Sequence, residues 1–127
     1  MPSYDASHFD PPAPVAQVRL RNLHSGATVS DVLLLMDTGA DITLLPRTAV
    51  EQLGVSLLAG QQYELMGFDG SKSFAPVVML DLLFLRRAFR GRYLLTEEER
   101  GILGRDILNH VILLLNGPQQ QWSEHAP

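Results

Sequence analysis

The chain has 127 residues, of which 46% are hydrophobic and 19% charged, with a formal net charge of -4. That length suits one domain with a modest core, and so apolar a composition excludes a disordered chain. The acidic balance argues against binding a nucleic-acid phosphate backbone, which needs a basic stripe. The absence of cysteine excludes disulfides, thiolate metal sites and a cysteine nucleophile together.

In chain order, residues 1–14 hold Pro2, Pro11, Pro12 and Pro14 without apolar periodicity and read as a flexible arm. No basic stretch followed by an apolar one opens the sequence, so no secretory signal is expected and cytoplasmic residence is the default. Val18 and Leu20 alternate with Arg19 and Arg21 as in a half-buried strand, and residues 22–27 make a turn. Residues 29–36 form a second strand that becomes wholly apolar as it approaches Asp37. Extended character resumes at 43–45, after which Pro46 starts a short helix over 47–53 that Gly54 stops.

Residues 62–66 and 74–85 read as the arms of a hairpin with 67–71 at its tip, and a further strand is expected at 92–95. Arg86, Arg87, Arg90 and Arg92 cluster just before Glu97, Glu98 and Glu99, a pattern read as solvated surface. Residues 97–100 form a polar turn, Ile102-Leu103-Gly104 re-enters the interior, a short helix covers 105–110, and a strand follows at 111–115. The segment 117–127 reads as a loose polar tail with Trp122 its one anchor. The longest apolar runs, 32–36 and 111–115, are too short for a bilayer, so no membrane partner is expected. The tally is an all-β, closed barrel-like domain over 15–116 with one or two short helices. Long crossover helices of the kind a parallel α/β sheet needs are missing. The high apolar fraction also hints at surface buried on a partner.

The chemistry concentrates in Met36-Asp37-Thr38-Gly39-Ala40-Asp41. Asp-Thr-Gly alone fits a strand that ends in an ordinary turn, its carboxylate capping backbone amides. Three features add weight. The apolar run would deliver Asp37 into a low-dielectric setting, where a lone carboxylate is costly. Gly39 permits a tight turn and Thr38 offers a hydroxyl to lock it. About 65 residues downstream, Ile102-Leu103-Gly104 is followed by Arg105-Asp106-Ile107-Leu108, and Arg105 could pair with an acidic residue, Asp41 being the natural candidate.

Together the two motifs resemble the retropepsin-like aspartic proteases, the retroviral proteases and their single-domain cellular relatives. The resemblance runs over about 15–116 in the same order and at similar spacing. It implies a mainly antiparallel acid-protease fold forming one half of a two-fold homodimer, a polypeptide substrate and no cofactor. By that resemblance Asp37 is the catalytic carboxylate, Thr38 makes inter-subunit hydroxyl contacts beneath it, and Gly39 holds the substrate-facing backbone. Ala40 and Asp41 line the cleft wall, and Gly104, Arg105 and Asp106 support it. The tip residues Gly67, Phe68, Asp69 and Gly70 correspond to a flap over the substrate. Phe68 and Asp69 stand where a glycine-rich tip is common among viral relatives, and the tails at both ends are a second departure.

Peptide hydrolysis by such a site needs two carboxylates that share one proton, and one Asp-Thr-Gly supplies only one. Two copies of Asp37 across a two-fold axis are therefore a mechanistic requirement. Ala40 cannot donate a hydroxyl hydrogen bond to the pair, so an optimum between about pH 4 and 6 is expected. Apolar wall residues (Leu35, Ala40, Phe68 and Val77) favour apolar side chains near the cleavage point. His8, His24, His110 and His125 show no ligand spacing, so no metal is expected. The alternative reading is a catalytically silent dimeric module that keeps the fold to bind protein or peptide.

Overall fold

A computed structural model describes residues 2–57, 62–66 and 69–125. The strands are β1 (Tyr4–Asp5), β2 (Ala13–Arg21), β3 (Thr28–Met36), β4 (Leu44–Pro46), β5 (Gln62–Met66), β6 (Lys72–Phe84), β7 (Arg87–Thr96), β8 (Gly101–Leu103), β9 (Leu113–Asn116) and β10 (Gln121–Glu124). Two short helices are interleaved, α1 (Arg47–Leu53) and α2 (Arg105–Leu108). Neither is long and apolar enough to cross a membrane.

Eight strands form one sheet in the order β1-β2-β3-β8-β4-β7-β6-β5, and β6 also pairs with β2. The path β2-β3-β8-β4-β7-β6 thereby closes into a ring. Most pairs are antiparallel, but β3 runs parallel to β8 and β4 parallel to β7. Those parallel pairs require chain excursions between their members, and α1 and the β5–β6 hairpin supply them.

The ring is filled by period-2 patterning. Val18 and Leu20 of β2, Leu34 of β3, and Val78, Leu80 and Leu82 of β6 all point inward and are essentially inaccessible. The inward row of β7 is Phe89-x-Gly91-x-Tyr93, its middle position empty of side chain. A Cβ at Gly91 would lie 3.3 Å from the Tyr93 ring. That gap and the flanking arginines hide the first half of β7 from a hydrophobicity pattern, which finds only its apolar end near 92–95. Leu85 and Arg86, both left-handed (φ 54° and 62°), make the two-residue turn joining β6 to β7.

The arginine cluster is more than solvated surface. Asp81, on the outward row of β6, is only 2% exposed. Arg21 Nη2 donates to its Oδ2 at 2.8 Å from β2, and Arg90 Nε to its Oδ1 at 3.1 Å from β7. The Arg90 hydrogen bond, assisted by Arg21, holds the Asp81 carboxyl below the usual carboxylate range against the opposing effect of burial.

Both ends of the chain depart from expectation. The arm expected to be flexible carries β1, paired with the start of β2. The tail expected to be loose forms the β9–β10 hairpin, with Trp122 buried and its Nε1 donating to the Val15 carbonyl at 2.9 Å. Ser3 bridges to Gln121, so the two ends close on each other. A large buried indole and the strand edge of β2 repay the ordering of segments whose composition alone is polar.

Candidate active site

The site begins with the parallel pair β3–β8. Met36 faces Leu103 in the ladder, and the Asp37 N–H extends it by donating to the Leu103 carbonyl at 3.1 Å. The two strands therefore place Asp37 and Gly104, the first residues beyond them, side by side. Gly101 marks where β8 squeezes between β3 and β4: a Cβ there would sit 2.1 Å from the Leu44 carbonyl oxygen. No side chain fits that crossing.

Beyond β3 the chain turns back on itself. Gly39 N–H donates to Asp37 Oδ1 at 2.8 Å, and Ala40 N–H to the Asp37 carbonyl at 3.2 Å. The loop is then clamped from α2. Arg105 N–H donates to the Ala40 carbonyl at 2.8 Å, and Arg105 Nη1 to the Thr38 carbonyl at 2.6 Å. Gly104 lies so close beneath that a Cβ would stand 2.9 Å from the Ile42 carbonyl carbon. Gly39 is constrained by its neighbour, since a Cβ would press within 3.1 Å of Asp37 Oδ1.

Deeper in, Thr43 is inaccessible and joins the two motifs. Its hydroxyl donates to Asp106 Oδ1 at 2.7 Å and accepts from Gly104 N–H at 3.0 Å. Its N–H donates to Asp106 Oδ2 at 3.0 Å. The Asp106 carboxylate thus accepts from one residue at both oxygens, a short and strong arrangement. Thr43 was not singled out from the sequence. Its signal was available, because it alternates with buried Leu45 and so had to be a polar side chain on the inward row.

The structure brings together Asp37, Thr38, Gly39, Ala40, Gly104, Arg105 and Asp106 as the two motifs implied. Two details differ. The Arg105 guanidinium bonds the Thr38 carbonyl instead of the expected Asp41 carboxylate, because α2 starts directly beneath that peptide. Asp37 is half-buried in the single chain, not enclosed in an apolar setting, and the buried aspartate is Asp81. Thr38, Gly39 and Asp41 are exposed.

Of the hairpin tip, Gly67 and Phe68 lie outside the described residues. Asp69 and Gly70 are exposed; Asp69 Oδ1 accepts from Ser71 N–H at 2.9 Å, and Gly70 turns the chain with φ 82°. The hydrogen bonds from Ser71 hold the Asp69 carboxyl below its usual range. The expected wall residues separate. Val77 is buried with Ala75 and Leu94 against Ile42 and Leu44. Leu35 lines a cavity of about 330 Å³ with Phe9, Ile102 and the 97–101 turn, where Arg100 stacks on the Phe9 ring. Among the described residues, no group of three or more His, Asp or Glu side chains could hold a metal ion.

Chemically, the site presents the Asp37 carboxylate on a rigid loop, with one backbone donor on its Oδ1. No protein-family sequence model matches the chain, and no curated protein matches it. Among solved structures it is similar to the EIAV protease complexed with the inhibitor HBY-793. That likeness has 24% sequence identity and a TM-score of 0.55, over 77% of this chain and 86% of that one. It establishes a mainly β, retropepsin-like fold with two short helices.

Proposed function

We propose that this retropepsin-like chain is one half of a homodimeric aspartic endopeptidase in which two copies of Asp37 form the catalytic dyad. The observation that carries the reading is the treatment of Asp37. Its backbone is fixed on both sides, by Leu103 and by the Arg105 clamp, while its Oδ2 is left without a protein partner among the described residues. A carboxylate serving only as a turn cap would not need a buried Thr43–Asp106 lock beneath it.

In the proposed dimer the two carboxyl groups approach closely, cannot both ionise, and share one proton. The ionised partner takes a proton from a water molecule as that water attacks the scissile carbonyl carbon. The protonated partner gives its proton to the carbonyl oxygen. The carboxyl that took the water's proton then delivers it to the departing amine nitrogen as the C–N bond breaks, while a hydroxyl proton of the tetrahedral intermediate returns to the other carboxylate. Ala40 adds no hydroxyl donor to the pair. The activity optimum is therefore placed between about pH 4 and 6. A preference for apolar side chains near the cleaved bond is part of this reading, as expected from the sequence.

The test is digestion of an unfolded protein and a diverse peptide pool from about pH 3.5 to 7.5, with mass spectrometry of the products and an Asp37→Asn control. Cleavage by the wild type alone supports the reading. Equal cleavage in both samples removes Asp37 from the mechanism, and silence in both leaves a dimeric binding module that keeps the fold.

A further inference from the structure

The two edges of β2 are covered unequally. One edge pairs with β3 between Val15 and Arg21. The other is shared by two strands: β1 pairs with Ala13 and Pro14, and β6 with Arg19, Leu20 and Arg21. Among the described residues, no strand pairs with residues 15–18 on that second edge. The Val15 carbonyl there accepts from Trp122 Nε1 at 2.9 Å. The two-residue alternation of a strand turns the Gln17 N–H and carbonyl to the same edge.

A cavity of about 490 Å³ opens at this gap, within the range of roughly 300–1,000 Å³ usual for small-molecule sites. Val15, Phe84, Leu85 and Trp122 give it an apolar wall, and the Phe84 and Trp122 ring centroids are 5.9 Å apart at a tilt of 47°. Ser3 and Gln17 add a hydroxyl and a carboxamide. Among the described residues, no ionisable side chain lines it, and neither the Asp37 loop nor α2 reaches it.

We propose that this gap binds a small, uncharged, planar aromatic molecule carrying a cyclic amide, whose N–H and C=O complete the missing rung beside Gln17. A strand edge offers a donor and an acceptor on the same side of one residue, and a cyclic amide presents the complementary pair on one edge of its ring. The rest of the ring system then packs against Trp122 and Phe84, where aromatic faces and edges attract one another. A charged ligand is disfavoured, because no group of opposite sign lines the cavity to compensate its desolvation. An extended peptide fits less well. β1 and β6 both run antiparallel to β2 on this edge and stand at the two ends of the gap, so an inserted strand would meet them end-on. The inference is independent of the protease reading.

The test follows the full chain in a nitrogen–proton correlation spectrum. Trp122 is the sole tryptophan, so one indole peak reports directly from the cavity wall. The probes are isoquinolinone, a fused aromatic lactam, and hypoxanthine, a purine base with the same cyclic amide, each compared with its form methylated on the amide nitrogen. Saturable movement of the indole peak with either probe supports the site, and the probe that binds tells a lactam from a nucleobase as the source of the chemistry. Methylation removes the donor and should weaken binding at least about tenfold, since the Gln17 carbonyl is left unpaired against the ligand. No movement with either probe overturns the proposal. Equal affinity of the methylated forms also overturns it, because the cavity is then only apolar and the strand edge takes no part. Gln17→Tyr places a ring in the gap from an exposed position, with far-ultraviolet circular dichroism checking the fold. It should abolish the response, and an unchanged response in the folded variant overturns the assignment. The methylation comparison uses the wild type alone, so it decides the matter even where the variant misfolds.

Discussion

Two aspartates of this chain belong to apolar strand segments, and their surroundings are opposite. Asp81 lies mid-strand on β6, 2% exposed, with two guanidinium groups bound to its carboxylate from the neighbouring strands. Asp37 lies one residue beyond β3, half-buried, with a single amide on one oxygen. The difference follows from where each falls in the strand pattern. An outward mid-strand position is flanked on both sides by partner strands that can deliver arginines, whereas a position past the strand end is flanked by a loop. A carboxylate neutralised by its neighbours is structural. One held rigidly and left uncompensated is available for chemistry.

The sharpest way to break that contrast is to neutralise each aspartate in turn. Asp37→Asn preserves the oxygen that accepts from Gly39 and should lower peptide cleavage by at least about 10³-fold. Its unfolding free energy should stay within about 0.5 kcal/mol of the wild type, read from a urea melt, because among the described residues only the Gly39 amide bonds the carboxylate. A large stability loss would make Asp37 a second structural carboxylate.

Thr43→Val comes next. The shape is kept, but Asp106 Oδ1 loses its donor and Gly104 N–H its acceptor, both next to an inaccessible side chain. A cost of about 2–3 kcal/mol is expected. Adding Asp106→Asn should cost less than the sum of the single changes, since the two residues act as one unit. The variant should also lose activity at temperatures where it remains folded, because the lock sits beneath the Asp37 loop.

Asp81→Asn should reverse the Asp37 result: stability falls by about 1–3 kcal/mol, with cleavage per folded molecule unchanged. The range is modest because water screens both arginines, which are partly exposed. Acid sharpens the test. The Asp81 carboxyl titrates below its unfolded value of about 3.9, so its contribution is complete above about pH 4 and disappears as pH falls through the folded value. The difference in melting temperature between wild type and Asp81→Asn should therefore narrow steadily below about pH 4.

Most of the framework around Asp37 was legible because glycine, proline and apolar runs report local geometry. Pro46 and Gly54 bracket α1 where the sequence placed it, and Gly54 ends the helix in the left-handed conformation (φ 68°). Partners were less legible. Nothing in the order of residues says that Arg90 is nine positions from its carboxylate and Arg21 sixty, because a ring of strands sets those distances. The same holds for Arg105, whose bond to the Thr38 carbonyl is a backbone contact that no pairing of charges can foresee. The tails were misread for a related reason: a polar segment with one tryptophan looks loose until the pocket that accepts the indole is known.

Arg105→Lys tests the smallest difference between the two aspartates, the quality of the support behind Asp37. Arginine reaches the Thr38 carbonyl with a planar donor fixed at 2.6 Å, whereas an ammonium on a flexible stem can find the same oxygen with less directional control. The Arg105 main-chain bond to Ala40 and the Thr43–Asp106 lock remain, so stability should change by less than about 1 kcal/mol. Cleavage should fall only a few-fold, mostly in kcat, because a loosened Thr38 peptide misplaces the carboxylate more than it alters substrate binding. A loss confined to KM would instead mean that Arg105 acts on the substrate. The clamp on Asp37 would then consist of the backbone and Thr43 alone.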